Sequence, residues 1–285
     1  MSDLKVMENS EFKICVENLI KIYGDRPQVA LKLFRDGKTR DDILQLTNKV
    51  VSIADLSLKI KQGELFVIMG LSGSGKSTLV RCINRLIKPT SGHIYLDGED
   101  LAHVSEQRMR EIRLSKISMV FQQFGLFNHK TVAENVAYGL KMQGIPKIER
   151  RQKSLEYLAK VGLEPWADRL PGDLSGGMKQ RVGLARALAT ETEILLMDEP
   201  FSALDPLIRR EMQQELLRLQ TELQKTIIFI SHDVHEAFKI GDRLGVMKEG
   251  KIVQVGTPEA IFNQPANDYI RAFIQDIYDL KKLIL

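Results

Sequence analysis

An α/β fold organised on a parallel sheet is predicted by three features of the sequence. Short, uniformly apolar runs recur at residues 65–69, 194–197, 227–230 and 244–247, as expected of strands buried on both faces. The stretches between them read as helices, which a parallel sheet requires for its crossovers. The first run also leads through a glycine-rich turn straight into a helical pattern. A length of 285 residues with 44% hydrophobic residues suits one large domain or two modest ones.

Taken in order, residues 12–19 alternate loosely and predict a first strand, closed at Tyr23-Gly24. Residues 27–34 and 39–46 read as two short helices, and Thr39 followed by Asp42 has the form of a capping box. Residues 50–60 return to strand, with Ile53, Leu56, Leu58 and Ile60 separated by small or polar residues. From Lys76 the period is helical, placing Leu79, Val80, Ile83, Leu86 and Ile87 on one face until Pro89 stops it. Asp97-Gly98 marks a turn after a strand at 94–96, and 117–121 reads as another strand. Residues 132–188 are mostly helical. The tail from Asp268 to Leu285 sets Ile270, Phe273, Ile274, Ile277 and Leu280 at helical spacing and predicts a packing helix. No internal repeat or low-complexity linker interrupts this order.

Charge and composition narrow the classes of function. Lys plus Arg number 41 against 37 Asp plus Glu, a net +4 without any block of like charge, so no nucleic-acid partner is expected. Cys15 and Cys82 lack metal-ligand spacing and read as reduced thiols. The polar opening residues 1–11 lack the apolar core of a signal peptide, and no run of about 18 apolar residues occurs. A role at a membrane would therefore be that of a peripheral subunit.

The chemistry is concentrated in a few motifs. Gly70-Leu71-Ser72-Gly73-Ser74-Gly75-Lys76-Ser77-Thr78 contains the phosphate loop G-x-x-x-x-G-K-[ST]. Its glycines permit a tight turn that aims backbone N–H groups at phosphate oxygens, and the following helix adds its positive end. Lys76 is expected to reach the β- and γ-phosphates, and the Ser77 hydroxyl to ligate Mg²⁺. The apolar strand ending in Asp198-Glu199 delivers two carboxylates where open α/β sheets bind ligands. Asp198 would hold Mg²⁺ through water, and Glu199 would polarise the attacking water. Leu174-Ser175-Gly176-Gly177-Met178 starts a helix that Ser175 can cap, with two glycines baring the first N–H groups. One triphosphate does not need two such helix ends from one chain, whereas two facing chains would use both. Single residues are more ambiguous. Gln122 reads as a surface glutamine or as a contact to Mg²⁺ or the water. His232 reads as structural or as a γ-phosphate contact, and Asp205 in Ser202-Ala203-Leu204-Asp205 as a plain helix cap or a functional loop.

Together and in this order, these elements resemble the ATP-binding-cassette ATPases, from about Val50 to Ile261. The resemblance assigns the Walker A loop, Q-loop Gln122, the signature, Walker B with Glu199, the D-loop with Asp205 and H-loop His232. It implies a RecA-like P-loop core with an inserted helical subdomain and an antiparallel β edge. On this reading 12–122 and 184–265 form the core, 25–49 a helical insert, 123–183 the helical subdomain and 266–285 a C-terminal helix. ATP and Mg²⁺ are the implied cofactors. The implied partners are a second copy in a head-to-tail dimer, integral membrane permease subunits and, indirectly, a solute-binding protein. The implied location is the cytoplasmic face of the plasma membrane. Residues 68–75, 84–87, the insert at 27–49, 203–209 and 263–269 look like the glycine betaine/proline importers. Met178 departs from the glutamine of the general signature but fits that subfamily. A tandem CBS pair, present in many relatives, is not expected in a chain ending at Leu285. Tyr23 is the expected adenine-stacking aromatic, and part of the Phe124, Leu126, Phe127 cluster is expected to receive a permease helix. Rival readings are a choline or amino-acid importer, a chromosome-organising or repair ATPase, which would need a long coiled coil, and a P-loop kinase, which would not explain residues 174–178.

Overall fold

The computed structural model describes residues 11–122, 125–202 and 204–275. These residues divide into two compact units, 11–105 with 231–275, and 106–230. In chain order the strands are β1 (Phe12–Tyr23), β2 (Val50–Lys61), β3 (Leu65–Met69), β4 (Ser91–Leu96), β5 (Glu99–Asp100), β6 (Ile117–Val120), β7 (Ile194–Asp198), β8 (Thr226–Ser231), β9 (Arg243–Lys248) and β10 (Lys251–Gly256).

The first unit contains an antiparallel sheet of order β2-β1-β4-β5, which is the antiparallel edge expected from the sequence. Its first strand runs past Leu19 to Tyr23, where the sequence places the closing Tyr23-Gly24, and pairing with β2 continues across several register irregularities to Tyr23↔Val50. Beside this sheet, β3 pairs in parallel with β9, and β9 turns back antiparallel into β10. Every residue of β3 is buried, as its unbroken apolar run requires.

The predicted insert is a pair of helices, Gln28–Arg35 and Arg40–Thr47. The capping box is formed: Asp42 N–H donates to Thr39 Oγ1 at 3.1 Å and Thr39 N–H to Asp42 Oδ2 at 3.0 Å. Ala30, Leu31 and Ile43 pack on Ile20, Ile22, Val51 and Ala54 of β1 and β2, so the insert buries its apolar stripe against the strands it interrupts.

Two departures from the periodic reading occur here. The helix after the glycine turn ends at Ile83 instead of continuing to Pro89. Arg85 adopts a φ of 48°, the chain turns, and Leu86 is left 49% exposed. Strand β10 was not apparent in the sequence. Five of its six residues are half-buried, so neither face carries the alternation that marks a strand.

In the second unit β6, β7 and β8 form parallel pairs. The helices Glu106–Ser115, Val132–Met142, Lys147–Lys160, Gly176–Ala189 and Pro206–Leu223 accompany them. Strand β7 is buried throughout and ends on Asp198. Phe127, expected at a docking surface, is half-buried. Its ring centroid lies 4.5 Å from that of Tyr138. Phe124 lies outside the described residues, as do Ala203 and the tail beyond 275.

Candidate nucleotide site

In the first unit the glycine-rich segment between β3 and the helix Lys76–Ile83 forms a tight turn. Gly70 and Gly75 adopt φ values of 152° and 104°, which side-chain-bearing residues rarely take. A β-carbon at Gly70 would sit 2.2 Å from the Met247 carbonyl oxygen, and one at Gly75 would sit 2.5 Å from that of Ser52. The turn therefore fits only as bare backbone. Gly250 N–H donates to Ser74 O at 2.9 Å, tying the turn to the β9–β10 hairpin. Leu71, Ser72 and Gly73 are exposed.

Lys76 is only 5% exposed, and its ammonium donates to Gly70 O at 2.8 Å and Leu71 O at 3.1 Å. A desolvated cation thus rests on the turn's own carbonyls, inside the concavity that its backbone lines. Thr78 accepts from Ser52 Oγ at 3.0 Å and lies 3.3 Å from the Tyr23 hydroxyl. Tyr23, 38% exposed at the end of β1, is thereby placed at the glycine turn despite the insert that follows it in sequence. Ser52 and Met247 also shape this turn, and neither belongs to a recognisable motif. Their contacts arise from the long-range packing of β2 and β9. His232 is exposed, directly after β8. It is followed by Asp233, which caps the helix Val234–Ile240.

The second unit gathers the acidic residues. Asp198 is 1% exposed at the end of β7. Glu199 follows at a φ of 46°, an uncommon conformation for a residue with a side chain. Its carbonyl is held by Ser202, whose backbone N–H donates at 3.3 Å and whose hydroxyl donates at 3.0 Å. Gln122 Nε2 donates to Glu199 Oε2 at 3.3 Å, so the sequence-distant glutamine and glutamate do meet. Ser175 caps the helix Gly176–Ala189 by accepting from Met178 N–H at 3.3 Å. Leu174 is buried, while Ser175 and Gly176 are exposed and Gly177 and Met178 half-buried. A β-carbon at Gly177 would press on the Ile208 methyl at 2.8 Å, so that glycine also allows close helix packing. Asp205 accepts from Leu207 and Ile208 N–H, both at 3.1 Å, as the helix-cap reading expects.

A glycine turn with an interior lysine, and a buried strand ending in adjacent carboxylates, suit a nucleotide-binding α/β protein of the P-loop kind. Residues 53–202 match the family model described as ABC transporter. The chain belongs to the ABC transporter family. It is 56% identical over 265 residues to the glycine betaine/proline betaine transport system ATP-binding protein ProV of Salmonella typhimurium, covering 93% of this chain and 66% of that protein. It is 53% identical over 278 residues to the glycine betaine transport ATP-binding protein OpuAA of Bacillus subtilis, covering 98% of this chain and 66% of OpuAA. The chain thus spans about two thirds of the length of either relative. Among solved structures, it is similar to a dimeric, post-hydrolysis state of the ATP-binding cassette MJ0796 bound to ADP and Pi. The TM-score is 0.73 at 33% identity, over 86% of this chain and 98% of that one. The α/β cassette fold expected from the sequence is the fold observed.

Proposed function

We propose that this chain is the ATP-hydrolysing subunit of an importer for glycine betaine and proline-betaine-type osmolytes. The observation that carries the proposal is its 56% identity to ProV across 93% of the chain, with each nucleotide motif intact. In this reading Lys76 leaves the loop carbonyls to meet the β- and γ-phosphates, and backbone N–H groups of 71–75 cradle them. Tyr23 stacks on adenine, which its place beside Thr78 supports. Ser77, Gln122 and Asp198 offer hard oxygen donors suited to Mg²⁺, with Asp198 acting through water. When bound, Mg²⁺ neutralises phosphate charge. Glu199 orients and polarises the attacking water, and Gln122, already hydrogen-bonded to it, positions that carboxylate. His232 contacts the γ-phosphate.

Residues 174–178 serve the nucleotide of a second copy. The exposed, Ser175-capped start of their helix presents bare N–H groups to a negative charge. We assign 12–122 and 184–265 to the core, 123–183 to the helical subdomain that meets the permease, and 266–285 to a C-terminal helix. No described helix is long and apolar enough to cross a membrane. Attachment at the cytoplasmic face would come through permease subunits, and an external solute-binding protein would supply the cargo.

The test is uptake in vesicles carrying the chain together with the permease and solute-binding protein of a glycine betaine importer. Labelled glycine betaine should accumulate only with internal ATP, and Lys76→Ala should abolish uptake without loss of assembly. ATP-driven uptake of choline or an amino acid, with glycine betaine inert, would overturn the cargo assignment. Uptake unaffected by Lys76→Ala would overturn the ATPase role.

A further inference from the structure

The hairpin of β4 and β5 assembles three side chains that play no part in the nucleotide chemistry. His93 Nδ1 lies 2.8 Å from Asp100 Oδ2, and His103 Nδ1 lies 2.7 Å from the same oxygen. The ligating atoms of all three lie within 4.8 Å of one another. The two rings are tilted by 42° to each other, with centroids 5.3 Å apart. Asp100 is held in place from behind, because its Oδ1 accepts from Ala102 N–H at 3.0 Å and Ile94 N–H at 3.3 Å. Those bonds leave Oδ2 directed at the imidazoles. His93 stacks on Tyr95 at 5.8 Å, which orients its ring as well.

We propose that His93, Asp100 and His103 form a surface site for a divalent transition-metal cation of the zinc class. Two imidazoles and one carboxylate match the borderline ligand preference of Zn²⁺, Co²⁺ or Ni²⁺, and leave a fourth position for water. With metal–ligand bonds of about 2.0–2.2 Å, tetrahedral ligands stand about 3.3 Å apart. The present N–O spacings need widen by only about 0.6 Å to reach that separation, which small side-chain rotations supply. The backbone bonds to Asp100 are the kind of supporting contact that fixes a ligating carboxylate. Glu17 stands opposite His93 in the β1–β4 register and shares its face of the sheet, which adds negative charge to the face that carries the cluster. His93 and Asp100 sit on paired strands while His103 follows in the next turn. A bound cation would therefore clamp the hairpin to the segment leading into the helix Glu106–Ser115.

The bland alternative is that Asp100 merely accepts hydrogen bonds from two exposed histidines. Metal uptake separates the two readings. The nucleotide-free full chain is dialysed against Co²⁺, and bound metal is quantified together with the visible d–d absorption of tetrahedral Co²⁺. The paired substitution His93→Asn with His103→Asn should remove one equivalent of cobalt and its spectrum. Each single substitution should weaken binding by roughly tenfold or more. A control carrying His129→Asn and His235→Asn should keep both the metal and the spectrum. Zn²⁺ should raise the melting temperature of the wild type and not that of the paired variant. Unaltered metal uptake by the paired variant, or no uptake by the wild type, would overturn the site. Both histidines are exposed at the side chain, 47% and 66%, so folding of the variants is not at risk, and circular dichroism verifies it.

Discussion

At the scale of single residues, the glycine turn depends on the absence of atoms. Gly75 combines a φ of 104° with neighbours that leave no space for a methyl group. Gly75→Ala should cost about 3 kcal/mol, the sum of backbone strain and overpacking, seen as a lowered urea midpoint. Nucleotide binding should weaken with it. The cysteines behave in the opposite sense, as inert filling. Burial pushes the Cys82 thiol up to about 12, with Lys21 opposing only weakly, and burial raises Cys15 too. Burial thus disfavours both thiolates and closes both sulfurs to reagents in the native protein. A chromogenic disulfide reagent should therefore titrate no thiol in the folded chain and two after denaturation. Much of this level was legible in advance: closely spaced glycines between an apolar strand and a helical pattern predict a tight turn, and that turn is present. Ser52 and Met247 were not legible, because their contacts with the turn come from strands distant in sequence.

At the scale of elements, ends and corners carry the specificity. Asn135 is completely buried, receives Phe127 N–H at 2.7 Å, and donates to Phe127 O, Lys130 O and Thr131 O at 3.0–3.1 Å. It fixes the corner between Phe127 and the helix Val132–Met142. Asn135→Ala would strand several backbone groups at once and should cost about 3 kcal/mol. Faster amide exchange confined to 125–142 would locate the damage. Ser175→Ala should remove a helix cap worth about 1 kcal/mol, a smaller loss read from the same denaturation curves. The sequence made Thr39 and Asp42 readable as a capping box because the two partners are three residues apart. It gave no comparable warning of Arg85, whose left-handed backbone ends the helix early while apolar spacing continues to Ile87. Periodicity records which residues would face a core if the helix persisted, and a local turn overrides it. The His93, Asp100, His103 cluster was invisible for a related reason, since only the β4–β5 hairpin brings its members together.

At the scale of the whole molecule, the central expectation is a nucleotide shared by two copies. Glu199→Gln keeps the side-chain shape and removes the carboxylate, so it should bind ATP and hardly hydrolyse it. Stable dimers should accumulate with Mg-ATP and disperse with ADP on size-exclusion chromatography. Adding Ser175→Arg should block that dimer while leaving nucleotide binding by the monomer intact. Dimers that form equally well in the double variant would rule out a site closed by the second copy's signature helix. Such an assembly turns differential affinity into motion, and the state before nucleotide arrives then matters. Lys76 is not waiting with an empty hand, for two carbonyl oxygens already hold its charge. On the proposed reading, an arriving phosphate has to outbid them, whereas a nucleoside able only to stack on Tyr23 would leave that pairing in place. Release of the lysine would then register polyphosphate and not base or sugar.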